Sequence, residues 1–162
     1  MHMMDYLRTA LTVAIASFGV SVGAQESYLM TAGCLIGWDY DDHPQICAEV
    51  APDLKEQVAE AHRLWLARNA KALTDLKAAC EVRLMRAYGG DQAAILVAKQ
   101  DARRRRAEVT SQLLAAPNRQ SLVNCSAYAR DFAAGNEKID IDRRWIDAIR
   151  DSPAEPVKWP NR

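Results

Sequence analysis

The sequence from Leu54 to Tyr88 reads LKEQVAEAHRLWLARNAKALTDLKAACEVRLMRAY and decides the fold. Its apolar residues recur at intervals of three and four, which places them on one stripe, roughly 100° wide, of an α-helix. The opposite face is charged. The pattern predicts one amphipathic helix over residues 54–88 against which the rest of the chain packs. The stripe comprises Leu54, Val58, Ala61, Trp65, Ala72, Leu76 and Cys80.

This stripe turns polar at Arg68 and Asn69, and asparagine is a poor helix former. A straight helix of this length measures roughly 50 Å, which exceeds the ~37 Å diameter of a compact domain of this size. Either the helix bends or breaks there, or the molecule is elongated. Because Ala72 resumes the stripe in phase with Trp65, we expect one helix that bends at Arg68–Asn69. The guanidinium of Arg68 is expected to reach water or a carboxylate.

Residues 1–24 have the features of a secretory signal peptide. Arg8 supplies a basic residue, an uncharged apolar run follows from Ala10 to Val20, and small residues precede the predicted cleavage before Gln25. The apolar run is too short to span a bilayer, so we expect no retained membrane span. We therefore predict a bacterial protein that is periplasmic or secreted.

The net charge of the mature chain limits the kinds of partner that we expect it to bind. Removing Asp5 and Arg8 from 21 acidic and 21 basic residues leaves 20 of each, so the mature chain is neutral. A neutral chain argues against nucleic acid or an anionic membrane as the main partner.

Export also determines how the cysteines are interpreted. In an oxidising compartment, four cysteines in a small domain predict two disulfides. Their spacing contains no Cys-x-x-Cys pair, so it indicates neither a zinc site nor a thioredoxin-like motif. We favour Cys34 with Cys47 and Cys80 with Cys125. A Cys47–Cys80 bond would require the chain to fold back near Asn69. The four cysteines of the chain are Cys34, Cys47, Cys80 and Cys125.

The segment between the first two cysteines is the most unusual in the mature chain. It reads Trp38-Asp39-Tyr40-Asp41-Asp42-His43-Pro44. The three carboxylates and the imidazole of Asp39, Asp41, Asp42 and His43 could ligate a divalent cation. The loop lacks the glycine and distal glutamate of a calcium-binding helix-loop-helix, so a solvated acidic turn is the alternative. Trp38 and Tyr40 suit an exposed contact surface.

The rest of the chain predicts further helices with clear boundaries. A short first helix ends near Gly37, Pro52 and Asp53 open the long helix, and Gly89–Gly90 ends it. Asp91 can cap a following antiparallel helix that runs to about Ala115. Its expected inner side comprises Ile95, Ala98, Ala102, Val109 and Leu113.

Beyond Pro117, Asn118 or Ser121 can start another long helix that Gly135 ends. Its expected inner side comprises Leu122, Cys125, Ala129 and Phe132. A last short helix carries Trp145, Ile146 and Ile149, with Asp140 and Arg144 as an exposed pair. Residues 152–162 form a proline-rich extended tail, in which Trp159 either folds back or anchors a partner.

The chain is therefore predicted to be all-α, a small antiparallel helical bundle with a long central helix and two disulfides. Residues 25–151 form its single helical domain. Within it, the four consecutive arginines 103–106 cover more than one helical turn, and Arg106 is expected to point toward the bundle. A solvated face is the first interpretation of this run, and contact with an anion or an acidic partner is the alternative.

The segment Trp65-Leu66-Ala67-Arg68 is similar to part of the small helical lysozyme inhibitors of the bacterial periplasm. In that family an Arg-Asp pair and a cysteine closely follow the tryptophan. Here Asn69 follows Arg68, and the next cysteine is Cys80. The spacing differs, so the likeness assigns no family.

The candidate functions rest on the absence of a reactive motif in the sequence. Neither His43 nor His62 has a nucleophile or metal-ligand partner at motif spacing, and no cofactor motif is present. We expect a non-enzymatic protein that binds another protein in the cell envelope or outside the cell, as an inhibitor, immunity protein or assembly factor does. Trp159 and loop residues 38–43 are its candidate contacts. The alternative is a carrier of a metal or small ligand that uses loop residues 39–43 or a cavity between helices.

Overall fold

The computed structural model describes residues 22–37, 42–119, 123–135 and 140–159. Residues 1–21 of the predicted signal peptide lie outside this part of the chain, as do Trp38, Asp39, Tyr40, Asp41, Ser121 and Leu122. Within the described residues the chain is all-α, and the predicted antiparallel bundle with a long central helix is confirmed. Its helices are α1 (Val22–Ile36), α2 (Asp42–Val50), α3 (Lys55–Ala87), α4 (Gln92–Ala115), α5 (Cys125–Ala134) and α6 (Arg143–Asp151).

The long helix α3 contains 33 residues, and a short 3-10 turn, Pro52–Leu54, leads into it. It runs without interruption through Arg68 and Asn69, which confirms one continuous helix; the bend stays a prediction. The segment just before α6, Asp140 and Ile141, provides hydrogen-bond partners for the polar residues Arg68 and Asn69 on the stripe. Asn69 donates to the Trp65 carbonyl and to the Asp140 carboxylate, each at 3.0 Å, and accepts from the Ile141 N–H at 2.9 Å.

The guanidinium of Arg68 reaches a carboxylate, as predicted, and that carboxylate is Asp140 at 3.1 Å. Arg144 instead pairs with Asp142, the N-cap of α6, at 2.6 Å. The predicted Asp140–Arg144 pair is therefore wrong. Asp140 precedes α6, so the four-residue spacing of that pair does not span a helical turn.

Three buried clusters follow α3 from end to end. Trp65 packs with α2 and α5, Leu76 packs with α1 and α6, and Leu84 packs with α1, α4 and the C-terminal tail. Each remaining helix therefore buries its apolar face against a different part of α3 or against a helix that already lies on it. This arrangement makes α3 the scaffold of the domain.

The two disulfides join Cys34 to Cys80 and Cys47 to Cys125. The predicted pairing of Cys34 with Cys47 and Cys80 with Cys125 is wrong, because α1 and α2 pack against different parts of α3. Cys34 therefore faces the middle of α3, while Cys47 lies in the cluster shared with α5. The absence of a Cys47–Cys80 bond agrees with the continuity of α3.

The helix boundaries confirm several local predictions and correct one. The Asp91 carboxylate caps α4 by accepting from the Ala94 N–H at 3.0 Å, and α4 ends at Ala115. Gly135 ends α5, but α5 starts at Cys125 with Asn124 as its cap, not at Asn118 or Ser121. The predicted long element is therefore a helix of ten residues.

The predicted inner face of α4 is correct only over its first half. Ile95, Ala98 and Ala102 are buried, but Val109 is 63% exposed and none of residues 103–115 is buried. The reason is that α4 packs mainly against α1, which ends at Ile36. The second half of α4 extends past that partner.

The tail after α6 is extended, as predicted, and folds back onto the bundle. Val157 is buried, and its N–H donates to the Tyr88 hydroxyl at 3.2 Å. The Trp159 ring meets Tyr28 edge to face at 6.4 Å, and the guanidinium of Arg105 lies 5.2 Å from the Trp159 centroid. Of the two alternatives for Trp159, the structure shows the one that folds back.

Candidate functional site

A cleft opens where the second half of α4 extends beyond its packing partner. It lies between the C-terminal end of α1, the middle of α3, and α4, and it also contacts the first residues of α2. Its volume is about 850 Å³, and a smaller cavity of about 170 Å³ adjoins it. The two share the lining residues Cys34, Gly37, Lys77 and Lys99, so they form one continuous depression.

The floor of the cleft is apolar, and its walls are basic. The smaller cavity is the deeper part of the cleft. It is lined by both cysteines of the Cys34–Cys80 bond and by three leucines of α3, Leu73, Leu76 and Leu84. Lys77 rises from α3, whereas Lys99 and Arg103 rise from α4 one helical turn apart.

Three of the basic residues in this cleft are not neutralised. Lys77, Lys99 and Arg103 form no ion pair within the described part of the chain. Glu81 also lines the deeper cavity, so the side chains that line the two cavities carry four positive and two negative charges. The remaining positive charge beside an apolar floor suits a partner that offers carboxylates and an apolar group.

Arg106 has a structural role at the edge of the cleft. It forms an ion pair with Asp42 at the start of α2, and it donates to the Ile36 carbonyl at 2.9 Å. This confirms that Arg106 points toward the bundle. The side chain ties the end of α1 and the start of α2 to α4, and so fixes one end of the cleft.

The four consecutive arginines on α4 have four different environments. Arg103 lines the cleft, Arg104 pairs with Asp101 at 2.8 Å, Arg105 covers Trp159, and Arg106 binds Asp42. A solvated face therefore describes only Arg103 and Arg104, which are both exposed. Consecutive helix positions point 100° apart, so a run of four arginines necessarily meets several surroundings.

Arg83 is fully buried on α3, although no sequence prediction pointed to it. Its guanidinium donates to neutral oxygens only: Ser27 and Thr31 of α1, Ile149 of α6, and Ser152 and Pro153 of the tail. Burial, and secondarily the charge of Arg86, lowers the pKa of Arg83. A signal existed, because Arg83 lies seven residues after Leu76 and three after Cys80 on the apolar stripe.

The three predicted binding residues that the structure describes, Asp42, His43 and Trp159, do not converge. Asp42 turns toward Arg106 and lines the cleft, whereas His43 stacks on Tyr128 with ring centroids 5.1 Å apart. Trp159 belongs to the tail and packs on Tyr28. The described residues contain no group of three or more His, Cys, Asp or Glu side chains that could hold a metal ion. The other loop candidates lie outside the described residues.

His62 is buried on α3, where it stacks against Trp65 with ring centroids 6.2 Å apart. In the sequence it stands at the edge of the apolar stripe, one position from Ala61 and three from Trp65. The structure places it further inside, as part of the aromatic packing around Trp65.

No protein-family model, characterised protein or solved structure matches this chain. Within the described residues, no helix combines the length and the apolar character needed to cross a membrane. Functional inference therefore starts from the cleft itself.

Proposed function

We propose that this protein is an exported, non-enzymatic binding protein whose basic cleft holds an acidic segment of another protein. The observation that carries this proposal is the set of three cations, Lys77, Lys99 and Arg103, that lie around an apolar floor and form no ion pair with any residue that the structure describes. Lys77 and Arg103 are exposed to solvent. A cleft open in this way accepts a chain segment that enters and leaves, whereas a small ligand is usually enclosed on most sides.

Apolar residues beyond the cleft extend the same helix faces. Met85 follows Lys77 by eight residues on α3, and Leu96 precedes Lys99 by three on α4. Met85 is 39% exposed and Leu96 is 57% exposed, so both can contribute apolar area to a partner. The charges would steer association and set specificity, while the apolar residues would supply most of the affinity.

Two disulfides support export, because such bonds persist in oxidising compartments. The periplasm or the exterior of a bacterial cell is therefore the proposed location. The partner would be an envelope or secreted protein with an acidic exposed segment.

The test uses the oxidised protein and short fluorescent peptides of defined charge. The probe alternates glutamate and leucine, and its counterpart alternates lysine and leucine. We expect the acidic peptide to bind at least tenfold more tightly than the basic one, with an affinity that falls as salt rises. The triple variant Lys77→Gln, Lys99→Gln and Arg103→Gln should lose about tenfold in affinity for the acidic peptide.

A matched control removes three basic side chains elsewhere: Lys55→Gln, Arg86→Gln and Lys158→Gln. All three are exposed and none lines the cleft. This control should bind within twofold of the original protein. Equal losses in the two triple variants, or equal affinity for both peptides, would overturn the proposal.

A further inference from the structure

The two disulfides have very different surroundings. Cys47 and Cys125 are 0% and 3% exposed and lie in the aromatic cluster of Trp65, Tyr128 and Phe132. By contrast, Cys34 is partly exposed and lines both parts of the cleft, and Cys80 lines the deeper part. Solvent and small solutes can therefore reach one bond while packed side chains cover the other.

We propose that the Cys34–Cys80 bond is a thiol–disulfide exchange site for a small thiol that carries carboxylates. The walls around the bond hold the cations Lys77, Lys99 and Arg103, which form no ion pair among the described residues and would concentrate such an anion beside the sulfur atoms. Exchange rates depend on access and on the local concentration of thiolate, and the cleft favours both at this bond. The inference uses only the geometry of the cleft and does not depend on the proposed protein partner.

The reaction begins with attack at the sulfur of Cys34, which is the more exposed residue of the pair. The incoming thiolate forms a bond to the Cys34 sulfur, the bond to Cys80 breaks, and the electron pair leaves with the Cys80 sulfur as a thiolate. Lys77 precedes Cys80 by three residues and lines the same cavity, so its ammonium stabilises that leaving group.

A second molecule of the same thiol completes the exchange. It attacks the outer sulfur of the mixed disulfide and releases the Cys34 thiolate. The small thiol leaves as its own disulfide, having lost two electrons, and the two protons of the thiols end on Cys34 and Cys80. The small thiol is thus the only reductant required.

Breaking this bond would loosen the cleft without unfolding the domain. Cys34 belongs to α1 and Cys80 to α3, and these two helices form adjacent walls. Arg83 still joins α1 to α3 through Ser27 and Thr31, and Cys47–Cys125 still joins α2 to α5. The site could therefore alter the cleft reversibly.

The experiment exposes the folded, oxidised protein to three thiols: glutathione, which carries net negative charge, neutral 2-mercaptoethanol, and cationic cysteamine. Samples are quenched with an alkylating reagent and each cysteine is followed by peptide mass spectrometry, with rates compared at equal thiolate concentration. We expect Cys34 and Cys80 to be labelled at least tenfold faster than Cys47 and Cys125. The first adduct of glutathione should lie on Cys34.

The dependence of the exchange rate on the charge of the thiol distinguishes a site that attracts anionic thiols from a disulfide that is merely exposed. In the variant Lys77→Gln, Lys99→Gln and Arg103→Gln, the rate with glutathione should fall about threefold to tenfold. The rate with 2-mercaptoethanol should fall less, because it loses only the stabilisation of the Cys80 thiolate by Lys77, and the rate with cysteamine should rise relative to that with 2-mercaptoethanol. The control variant Lys55→Gln, Arg86→Gln and Lys158→Gln should behave as the original protein. In the original protein, added salt should slow only the reaction with glutathione.

Three results would each overturn the inference. One is reduction of Cys47–Cys125 at the same rate as Cys34–Cys80. Another is a first adduct on Cys80, and the third is a ranking of the three thiols that does not change when the cleft charges are removed. The neutral thiol serves as the internal measure that the variants are folded, because a loosened variant would react faster with it.

Discussion

Arg83 holds four parts of the chain together through one buried side chain. The five N–H groups of its guanidinium make six hydrogen-bond contacts with oxygens of α1, α6 and the tail, so one N–H is shared between two acceptors; none of these partners is a carboxylate. Burial of an arginine is tolerated here because all three guanidinium nitrogens have acceptors. The acceptors in turn depend on Arg83, since most of them are shielded from water.

We predict that Arg83→Lys lowers the free energy of unfolding by about 3 kcal/mol. The ammonium has three N–H donors on one atom and cannot reach acceptors on both sides of the cavity, so buried oxygens lose their partners. Urea unfolding of the oxidised protein measures the loss. Arg86→Lys, one turn away and exposed, should change stability by less than about 0.5 kcal/mol. A loss of that small size for Arg83→Lys would contradict the role assigned to it.

Gly135 is constrained both by its backbone and by its neighbour. Its φ of 73° and ψ of 143° lie in a region that residues with a side chain rarely adopt. An added Cβ would lie 2.6 Å from Nε of Arg68 and would push that guanidinium away from Asp140. We predict that Gly135→Ala lowers the free energy of unfolding by about 3 kcal/mol, as measured by thermal or urea unfolding.

The control for this prediction is Gly89→Ala, where φ is 59° and no atom lies within 4 Å of the added Cβ. This substitution should lower the free energy of unfolding by about 1 kcal/mol, because only the unfavourable backbone conformation contributes. In an Arg68→Ala background the cost of Gly135→Ala should fall by about 1 kcal/mol, since the two effects share one contact. Strict additivity of the two substitutions would show that the contact carries no energy.

At the scale of elements, the extended tail depends on two tyrosines. Tyr88 accepts a hydrogen bond from Val157, and Tyr28 packs against Trp159. Burial is the largest cause of a raised pKa at both tyrosines; the charge of Arg105 opposes it at Tyr28, and the hydrogen bond from Val157 opposes it at Tyr88. The folded protein therefore keeps both phenolic protons at a pH where the unfolded chain has released them.

The sign of the pH dependence follows from this difference. The contribution of both tyrosines is fully present below about pH 10 and is lost as pH rises through their folded pKa values. We predict that the urea midpoint falls above pH 10, and that Tyr28→Phe reduces that fall because phenylalanine cannot ionise. Trp145→Phe, which changes a tryptophan of a different buried cluster, should keep the original pH profile. An identical alkaline fall in Tyr28→Phe would contradict the assignment.

At the scale of the whole molecule, the two disulfides tie together different helices: Cys34–Cys80 joins α1 to α3, and Cys47–Cys125 joins α2 to α5. They close loops of 46 and 78 residues, and the loop-entropy model gives about 4 and about 4.5 kcal/mol for such loops. We predict losses of that order for Cys34→Ala with Cys80→Ala and for Cys47→Ala with Cys125→Ala. Urea unfolding measures both.

The two double variants should differ less than the loop lengths suggest, because closure entropy grows only with the logarithm of length. Burial adds to the cost of the second pair, since Cys47 and Cys125 fill space in the aromatic cluster. Mass spectrometry after alkylation confirms that the remaining bond is intact in each variant. A loss below about 1 kcal/mol for either pair would contradict the prediction.

What the sequence determined by itself was local. The apolar stripe from Leu54 to Cys80 predicted α3, Asp91 predicted the cap of α4, and Gly135 predicted the end of α5. These features depend on residues within one or two helical turns, whose geometry is fixed by the backbone.

The tertiary structure alone decided which faces meet. Arg83 has the same helical phase as Leu76, yet only packing by α1, α6 and the tail shows what its guanidinium binds. The cysteine partners lie 46 and 78 residues apart, and the cleft exists because α1 ends before α4 does. Such contacts depend on where separate helices dock along α3, and docking is set by the combined burial of several faces rather than by any one segment.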